Sequence, residues 1–570
     1  MALTARLERI ARSEKLALGL VLTTFVLSLP SLASGPFMDD HWVELAVSQK
    51  DNPWRSLDVD AETMARARDV GGAGWWGSPN LSAKFFRPLA CALHWFEFRH
   101  WPNAKWAMHL VNLVIYAALV ALATLTYRRL KVDPRVAGIA AIMFALDDGH
   151  AMSAGWISGR NTLLVTMFVM AAVLEYIKAR QAPEPSWSFT SVLCFALGLS
   201  AGESGICALA YLGAYALLLD QAKLMSRIRS LVPHALVAIG WALVYVSSRA
   251  GTHGLTLYRE LKSPLALLEQ GLLDLPAWLL SLLGPSVVSV SVLVPPAPVR
   301  LACLVLVVPF ALWLWPTLKR DPVARFFALG TLLCLPPMFT TMPQDRLLAI
   351  ASFGSFGCIA CMLGNTRESF LGSVRWGRPA YAAMHLGLAP LLFIPSLSSS
   401  ALLQPGIRSV IEQLGDKSGE DVVVINTPSE WLHPAVLCTL RNTRQPLPAT
   451  FHPLYAGSGT PEVTRVDART LEMTVPEGWG GMPLESMAGA RVPQLPKAGD
   501  VVDLERLRVR VLADAENGMP QRVRFEFPTD LEDPKRIWYY WRGKEFLRWT
   551  PPAAGQHITF EPVTALSFAM

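Results

Sequence analysis

Two adjacent carboxylates, Asp39 and Asp40, stand directly after the first apolar segment of the chain and are followed by His41. A carboxylate moved to the centre of a bilayer costs about 2.5–3.5 kcal/mol, so an acidic pair beside an apolar segment must be solvated, paired with a cation or bound to a metal ion. Carboxylates in such a place can accept a proton from a hydroxyl group. Taken alone, the pair is equally well interpreted as the solvated start of a loop.

Four more ionisable residues stand at the ends of apolar segments: Arg87, Arg160, Glu203 and Arg346. A guanidinium group there suits a phosphate, because its planar donors bind phosphate oxygens in pairs. Glu203 lies between two apolar segments with no neighbouring cation in the sequence, which favours a functional role. Arg160 is equally well interpreted as an interfacial anchor, and Glu203 as a structural ion-pair partner.

The elements that must position these residues are membrane-spanning helices. Hydrophobic residues make up 52% of the 570-residue chain and charged residues only 17%, whereas soluble proteins carry about 25% charged residues. A helix that crosses the hydrocarbon needs about 20 apolar residues. Eleven segments qualify or nearly qualify: 16–34, 106–127, 136–150, 161–178, 187–201, 205–219, 231–247, 299–318, 323–341, 346–364 and 379–397.

Basic residues assign the sides of these helices. The first segment is interpreted as an uncleaved helix, because its apolar run exceeds the roughly 7–15 residues of a signal peptide. With the N-terminus in the cytoplasm, every second connection is basic, as the positive-inside rule requires: 6–15, 128–135, 178–180, 223–229, 319–325 and 367–378. Residues 264–284 would break this alternation, so we expect them to lie at the outer interface or to dip into it; a twelfth span is the alternative. All the candidate site residues then share the outer side, away from the cytoplasm.

The C-terminal region has a different character. Residues 405–570 are polar, with alternating stretches between Pro and Gly residues, at 422–425, 507–511, 522–527 and 557–560. We therefore predict a mainly α-helical multi-pass membrane domain over 1–400, with a long first outer loop at 35–105, and an outer β-rich soluble domain over 405–570. The eight cysteines lack the spacing of a disulfide framework or a zinc site, and the sequence has no nucleic-acid-binding signature.

The order of the motifs resembles the GT-C superfamily of polyprenyl-phosphate-sugar glycosyltransferases, in particular its protein O-mannosyltransferase-like members. The resemblance covers about residues 10–400. It rests on the acidic pair, Phe-Arg-Pro-Leu at 86–89, His-Leu-Val-Asn at 109–112, Trp-Ile-Ser-Gly-Arg-Asn at 156–161, Gly-Glu-Ser at 202–204 and Gln-Asp-Arg at 344–346. The chain departs from the family pattern where Gly202 stands in place of a frequent Lys, where Asp147 and Asp148 replace a His-Pro pair, and in a C-terminus without tetratricopeptide repeats.

The resemblance implies an inverting transfer in which either Asp39 or Asp40 is the catalytic carboxylate. It also implies that Arg160 and Arg346 lie near a lipid-linked phosphate and that Glu203 belongs to the site; Arg87 and His41 complete the expected substrate-binding set. The donor would be a polyprenyl-phosphate-linked sugar and the acceptor a glycan, lipid or protein. No cofactor is assigned, although a divalent cation bridging carboxylate and phosphate is compatible with this chemistry. The implied location is a bacterial inner membrane.

Three other functions remain open. A polysaccharide polymerase or ligase of the cell envelope also has many spans and outer arginines. A transporter would carry ionisable residues near the membrane midplane and internal repeats, and the sequence shows no repeat. A membrane-anchored sensor would not require eleven spans.

Overall fold

Helices make up most of the chain before residue 400. The computed structural model describes residues 9–37, 39–49, 51–78, 80–253, 258–259, 263–286, 288, 296–341, 343–364, 377–398, 401, 404–430, 432–479 and 495–563. The α-helices of the N-terminal part are α1 (Leu16–Ser28), α2 (Asp39–Gln49), α3 (Ala61–Asp69), α4 (Pro88–His100), α5 (Lys105–Arg129), α6 (Pro134–Ala145), α7 (Asp148–Gly155), α8 (Arg160–Arg180), α9 (Phe189–Ala201), α10 (Ala208–Leu218), α11 (Leu224–Ser247), α12 (Pro264–Leu283), α13 (Pro296–Arg320), α14 (Pro322–Cys334), α15 (Ala349–Gly364), α16 (Gly377–Ala383) and α17 (Ala389–Leu397).

The predicted multi-pass helical architecture is confirmed. Among the described residues, nine helices are long and apolar enough to cross a membrane, when short 3-10 and π extensions are counted with them. Eight of these coincide with predicted spans. The other three predicted spans correspond to shorter apolar helices, at Pro134–Ala145, Phe189–Ala201 and Glu203–Leu218.

Two of the helices that follow basic connections begin with the same Asp-Pro signal. Asp133 accepts a hydrogen bond from the backbone nitrogen of Arg135 at 2.7 Å, and Pro134 occupies the first position of α6. Asp321 and Pro322 start α14 in the same way. The carboxylate satisfies a free backbone N–H and proline lacks one, so both residues fit a helix start.

The long helix that matches none of the predicted spans is α12, which covers the segment predicted to lie at the outer interface. Its Asp274 is buried and forms ion pairs with Arg259 and with Arg300, the latter at 2.8 Å. The first outer loop packs against the C-terminal region, since the backbone nitrogen of Phe451 donates to the oxygen of Val70 at 2.9 Å. An even number of crossings must therefore separate the two. The ten predicted spans after α1 satisfy this condition. Helix α12 is itself long and apolar enough to cross a membrane, so its placement at the outer interface stays a prediction.

Helices α6 and α7 replace one predicted span and much of the loop predicted after it. The hydroxyl of Tyr116, near the middle of α5, donates to the oxygen of Ala145 at 2.9 Å, so α6 ends about halfway along its neighbour. After a short break at Asp147, α7 continues and passes α17 closely: a Cβ on Gly155 would lie 2.0 Å from the oxygen of Leu397. The span predicted at 136–150 thus corresponds to α6, and the connection predicted after it contains the short helix α7.

The C-terminal region contains two sheets and two helices. Its elements are α18 (Gln404–Leu414), α19 (Leu432–Asn442), β3 (Asp421–Thr427), β4 (Thr450–Ala456), β5 (Glu462–Arg465), β6 (Thr470–Thr474), β7 (Val501–Leu504), β8 (Leu507–Asp514), β9 (Pro520–Glu526), β10 (Arg536–Arg542), β11 (Glu545–Arg548) and β12 (His557–Thr559). One sheet has the order β11-β10-β3-β4, with β3 parallel to both neighbours; the other is antiparallel, with the order β12-β5-β6-β9-β8-β7.

The burial of the strands follows from these two sheet types. All seven residues of β3 are buried, as expected for a parallel strand covered on both faces, whereas β8 alternates buried and more exposed residues along its first half. The four stretches that the sequence marked as strands fall on β3, β8, β9 and β12, so the predicted β-rich region is confirmed. A two-stranded ribbon, β1 (Ser82–Lys84) with β2 (Gly251–His253), joins the first loop to the end of α11.

Candidate active site

The first turn of α2 carries Asp39 and Asp40, which face different surroundings. Asp40 is fully buried and accepts three hydrogen bonds: from the backbone nitrogen of Phe37 at 2.7 Å, and from the backbone nitrogen and hydroxyl of Ser158 at 2.7 and 2.5 Å. Burial raises the pKa of Asp40 to about 7, although these hydrogen bonds act to lower it. Its oxygens are thus occupied by the loop that precedes α2 and by the loop that precedes α8.

Asp39 is partly exposed and lies in the field of two arginines. Burial raises the pKa of its carboxyl, while the positive charges of Arg346 and Arg87 act to lower it. Because opposite charges at short range favour the ionised form, the two guanidinium groups offset part of the cost of burying this carboxylate. Of the acidic pair, Asp39 is the one that the structure brings together with predicted arginines.

Arg346 is held by an aromatic ring. Its guanidinium carbon lies 4.6 Å from the ring centroid of Trp156, and its Nε donates to the side-chain oxygen of Gln344 at 2.5 Å. The Trp156 indole donates to the oxygen of Phe37 at 3.2 Å, and the two rings meet edge to face. The same tryptophan therefore supports both Arg346 and the turn that leads into the acidic pair.

Arg87 and Glu203 form an ion pair at 2.8 Å, and the guanidinium of Arg87 also lies over the ring of Phe85 at 4.2 Å. Burial acts to lower the pKa of Arg87, but the Glu203 carboxylate raises it above its usual value. Only one oxygen of Glu203 is used by this pair. The other, Oε1, is buried without a hydrogen-bond partner among the described residues.

A cavity of about 480 Å³ lies beside this ion pair. Its walls come from the β1–β2 ribbon, the start of α8, the turn before α10, the end of α11 and the segment around 337–350. Charged and aromatic residues line it: Phe85, Arg87, Glu203, Trp241, Tyr245, Arg249, Tyr258 and Arg259. The indole nitrogen of Trp241 is buried without a hydrogen-bond partner in the described structure. Arg87 both lines this cavity and faces Asp39, so it connects the carboxylate to the space where a ligand fits.

Arg160, which the resemblance places near a phosphate, lies away from the cavity lining. Its side chain is completely buried: Nη1 pairs with Glu97, Nε donates to Asn112 at 2.6 Å and Nη2 donates to the oxygen of Met108 at 2.8 Å. Every nitrogen of the guanidinium is thus bound within the protein. Arg160 does not line the cavity, because the carboxylate of Glu97 on α4 holds it against α5.

His41 is also separate from the cavity lining. Its ring is buried, and neither ring nitrogen has a hydrogen-bond partner among the described residues. Burial and the charge of Lys105 lower its pKa to about 4, so the imidazole is neutral near pH 7. Lys105 itself forms an ion pair with Glu44 of α2 at 2.7 Å.

The described residues near Asp39 provide no ligand set for a divalent cation. Among the described residues, no three His, Cys, Asp or Glu side chains are arranged to hold a metal ion. The guanidinium groups of Arg346 and Arg87 act to lower the pKa of Asp39, and the charge of Asp39 acts to raise the pKa of the neighbouring Asp40 carboxyl. The two guanidinium groups are positively charged and would repel a metal ion at Asp39.

Several lining residues were missed by the sequence reasoning. Arg249, Tyr258 and Arg259 belong to the connection between α11 and α12, which contains no predicted site residue. Ser158, which binds Asp40, does not line the cavity and was predicted only as part of a motif. A usable signal was present, since Arg249 and Arg259 are basic residues in a connection assigned to the outer side, against the positive-inside rule.

Comparison with known proteins adds independent information. No protein-family model matches the sequence. Protein O-mannosyl-transferase TMTC3 of Mus musculus is 31% identical over 122 residues, covering 21% of this chain and 13% of that protein. For TMTC2 of Homo sapiens the values are 30% over 151 residues, 25% and 18%, and for TMTC4 of Homo sapiens they are 27% over 175 residues, 26% and 23%. Over this stretch the chain is similar to protein O-mannosyl-transferases. The resemblance predicted from the motifs is confirmed, and the matched stretch spans less than a quarter of each relative.

Two solved structures overlay on the chain in part. ArnT from Cupriavidus metallidurans in the apo state has 12% sequence identity and a TM-score of 0.39, covering 77% of this chain and 85% of ArnT. An oligosaccharyltransferase of Archaeoglobus fulgidus, tethered to an acceptor peptide, has 11% identity and a TM-score of 0.38, covering 77% of this chain and 64% of that chain.

Proposed function

We propose that this protein is an inverting glycosyltransferase that moves a sugar from a polyprenyl-phosphate donor to an acceptor hydroxyl at the outer surface of the membrane. The observation that carries the proposal is the position of Asp39 in the field of Arg87 and Arg346, with Arg87 also lining a cavity next to helix ends. A base and two cations in this arrangement suit the removal of a proton and the departure of an anion.

The proposed reaction is a single displacement. The acceptor oxygen forms a bond to the anomeric carbon of the sugar, and the bond from that carbon to the phosphate oxygen breaks. The electron pair of the broken bond leaves with the polyprenyl phosphate, and the acceptor proton moves to the Asp39 carboxylate. Attack from the face opposite the leaving group inverts the anomeric configuration, as in inverting glycosidases.

The groups around Asp39 match these charge movements. Burial raises the pKa of Asp39, which makes its carboxylate a stronger base, because catalytic efficiency improves as the pKa of the base approaches the working pH. Negative charge grows on the phosphate as the bond breaks, and fixed guanidinium groups stabilise such charge without further reorganisation. Arg87 and Arg346 are the proposed partners of that phosphate.

The cavity is the proposed donor site. The free oxygen of Glu203 would accept a hydrogen bond from a sugar hydroxyl, and the indole nitrogen of Trp241 would donate one. Arg249 lines the cavity, is exposed, and has no ion-pair partner among the described residues. Helix α11 also presents Leu236, Leu243 and other exposed apolar residues along its length, so a polyprenyl chain could lie against it while its phosphate reaches the cavity.

The other predicted site residues receive supporting roles in this proposal. Asp40 fixes the start of α2 through Phe37 and Ser158, and Arg160 ties α8 to α4 and α5. The proposed topology has a cytoplasmic N-terminus in a bacterial inner membrane, with the C-terminal region on the outer side. The acceptor belongs to the glycans, lipids or proteins that reach this surface.

The test is transfer by the purified protein in lipid nanodiscs. A panel of radiolabelled polyprenyl-phosphate sugars is supplied with membrane glycans, lipids and peptides as acceptors, and product formation is measured. We expect transfer from at least one single-sugar donor by the wild type and by Asp51→Asn, which changes an exposed carboxylate of the same loop, but not by Asp39→Asn. Transfer only from lipid-linked oligosaccharides would indicate a polymerase or ligase instead, and full activity of Asp39→Asn would refute the assigned base.

A further inference from the structure

The first outer loop is built into the C-terminal region rather than lying beside it. Gly71 has a φ of +79°, and a Cβ at this position would lie 2.1 Å from the oxygen of Phe451 on β4. The preceding residue, Val70, accepts a hydrogen bond from the backbone nitrogen of Phe451 at 2.9 Å. The loop backbone therefore meets a strand backbone directly, and only glycine allows both the positive φ and this close approach.

Trp75 then enters the core of the C-terminal region. Its side chain is 1% exposed and packs edge to face against Trp479 and Phe525, at ring-centroid distances of 5.6 and 5.9 Å. Its indole nitrogen donates to the oxygen of Leu454 at 2.9 Å. We call residues 70–76 the hook. A core that contains a side chain from a distant loop is complete only when that loop is in place, since protein interiors tolerate few voids.

A second connection lies directly before the acidic pair. The side-chain nitrogen of Gln404, the first residue of α18, donates to the oxygen of Pro36, and Gly35 beside it has a φ of +70° with Gln404 as the nearest neighbour of a Cβ. The next residue, Phe37, donates its backbone N–H to Asp40. One hydrogen bond from the C-terminal region thus fixes the backbone three residues before the proposed base.

Helix α2 itself rests on the C-terminal region. It packs against α19. Burial, and then the charge of Glu44 on α2, raise the pKa of the Cys438 thiol on α19. Gln404 therefore contacts the turn before α2, α19 packs against α2, and the hook anchors the loop that contains α2. Ser158 of the helical domain binds Asp40 at the start of the same helix.

We propose that the C-terminal region is a positioning element for the Asp39 carboxylate, with Gln404 and Trp75 as its positioning residues. This inference rests on the proposed transferase function for its effect on turnover, but not for its effect on α2. Misplacing a catalytic group by about 1 Å can lower a rate about 100-fold. Loosening the start of α2 should therefore lower kcat and leave the donor KM unchanged, because the proposed donor cavity is formed by other segments.

The experiment compares two variants that remove the same kind of bond. Gln404→Met keeps the shape of the side chain and removes the donor to Pro36; Gln521→Met, the control, removes a glutamine-to-proline-carbonyl bond at 3.1 Å within the C-terminal region. Hydrogen exchange of residues 36–49 and steady-state kinetics are measured on full-length protein in nanodiscs. We expect faster exchange in 36–49 and a kcat lowered about tenfold or more with unchanged donor KM for Gln404→Met, and neither change for Gln521→Met.

A second variant keeps the test decisive if folding is affected. Trp75→Phe retains an aromatic ring and removes the hydrogen bond to Leu454, so its effect on 36–49 should resemble that of Gln404→Met. Unchanged exchange in both variants, or faster exchange with unchanged kcat, would overturn the positioning role. If the wild type transfers no sugar while exchange in 36–49 still rises in both variants, the support of α2 stands and the proposed transferase function fails.

Discussion

Ser158 donates two hydrogen bonds to the same oxygen of Asp40, from its backbone nitrogen at 2.7 Å and from its hydroxyl at 2.5 Å. These bonds join the start of α2 to the turn before α8, 118 residues further along the chain. Asp39, one residue earlier, is left to face Arg87 and Arg346. Asp40 therefore stabilises the start of α2, whereas Asp39 is the carboxylate available for the proposed chemistry.

The first prediction separates these two roles. Asp39→Asn should lower kcat by about 100-fold to 10,000-fold, the usual contribution of a general base, with little change in thermal stability. Asp40→Asn should instead lower the free energy of unfolding by about 1–3 kcal/mol, because an amide nitrogen then faces one of three buried donors. Kinetics and thermal unfolding in nanodiscs are the measurements. Normal turnover by Asp39→Asn together with an inactive, stable Asp40→Asn would exchange the two assignments.

The second prediction concerns the pH dependence of stability. The pKa of Asp40 rises from 3.8 to about 7 on folding, so the folded state holds this proton more tightly than the unfolded state. Its contribution to stability is complete below about pH 4 and is lost as the pH rises to about 7, at no more than about 1.4 kcal/mol per pH unit. Tm of the wild type should therefore fall more between pH 5 and 8 than Tm of Asp40→Asn. Parallel pH curves for the two proteins would contradict this.

The third prediction uses the charge of Arg346. Because this guanidinium acts to lower the pKa of Asp39, Arg346→Gln should raise that pKa further. The acidic limb of the profile of kcat/KM against pH should move to higher pH, since the base is then protonated over a wider range. Arg346→Lys keeps the charge and is the control, with an acidic limb close to that of the wild type. If the acidic limb of the Arg346→Gln profile stays at the wild-type pH, the charge of Arg346 does not affect the pKa of the catalytic base.

Much of the fold could be predicted because it follows from local composition. Apolar length and the alternation of basic connections identified all eleven predicted spans as helices. The outer placement of α12 stays a prediction, because this helix is long and apolar enough to cross a membrane. The packing of the first loop on the C-terminal region is encoded by no local pattern. The connection that begins at Asp147 was predicted, but the short helix α7 within it was not, because its polar and small residues resemble a loop in sequence.

The candidate site could be predicted only in part. The acidic pair was found, but neighbours at a helix start point about 100° apart, and the partner that selects between them is Ser158, far away in the sequence. Arg160 and Arg346 both lie near the start of a helix. Arg160 forms a buried ion pair with Glu97, whereas the guanidinium of Arg346 lies over the ring of Trp156. Tertiary packing, rather than residue type, distinguishes these two arginines.

The fourth prediction concerns the buried pair of Arg160 and Glu97. Arg160→Ala should lower the free energy of unfolding by about 3–5 kcal/mol, because it leaves the Glu97 carboxylate buried without its partner. The double variant Arg160→Leu with Glu97→Leu should lose less. Arg469→Ala, which breaks the exposed pair with Asp530, should change stability by about 0–1 kcal/mol. Thermal unfolding is the measurement, and a stable Arg160→Ala with a raised donor KM would return Arg160 to the phosphate site.

The last prediction concerns Arg249 at the end of α11. It lines the cavity and has no ion-pair partner among the described residues, so no carboxylate there competes with a ligand phosphate. A charged hydrogen bond contributes about 1.5–3 kcal/mol, so Arg249→Gln should raise the donor KM roughly 10-fold to 100-fold without changing Tm. Arg229→Gln, at an exposed position near the other end of the same helix, should leave the donor KM unchanged. Donor titrations at low and high salt provide the measurement: the penalty in Arg249→Gln should shrink at high salt, since ions screen an exposed charge. Equal donor KM values for the two variants would remove Arg249 from the proposed phosphate site.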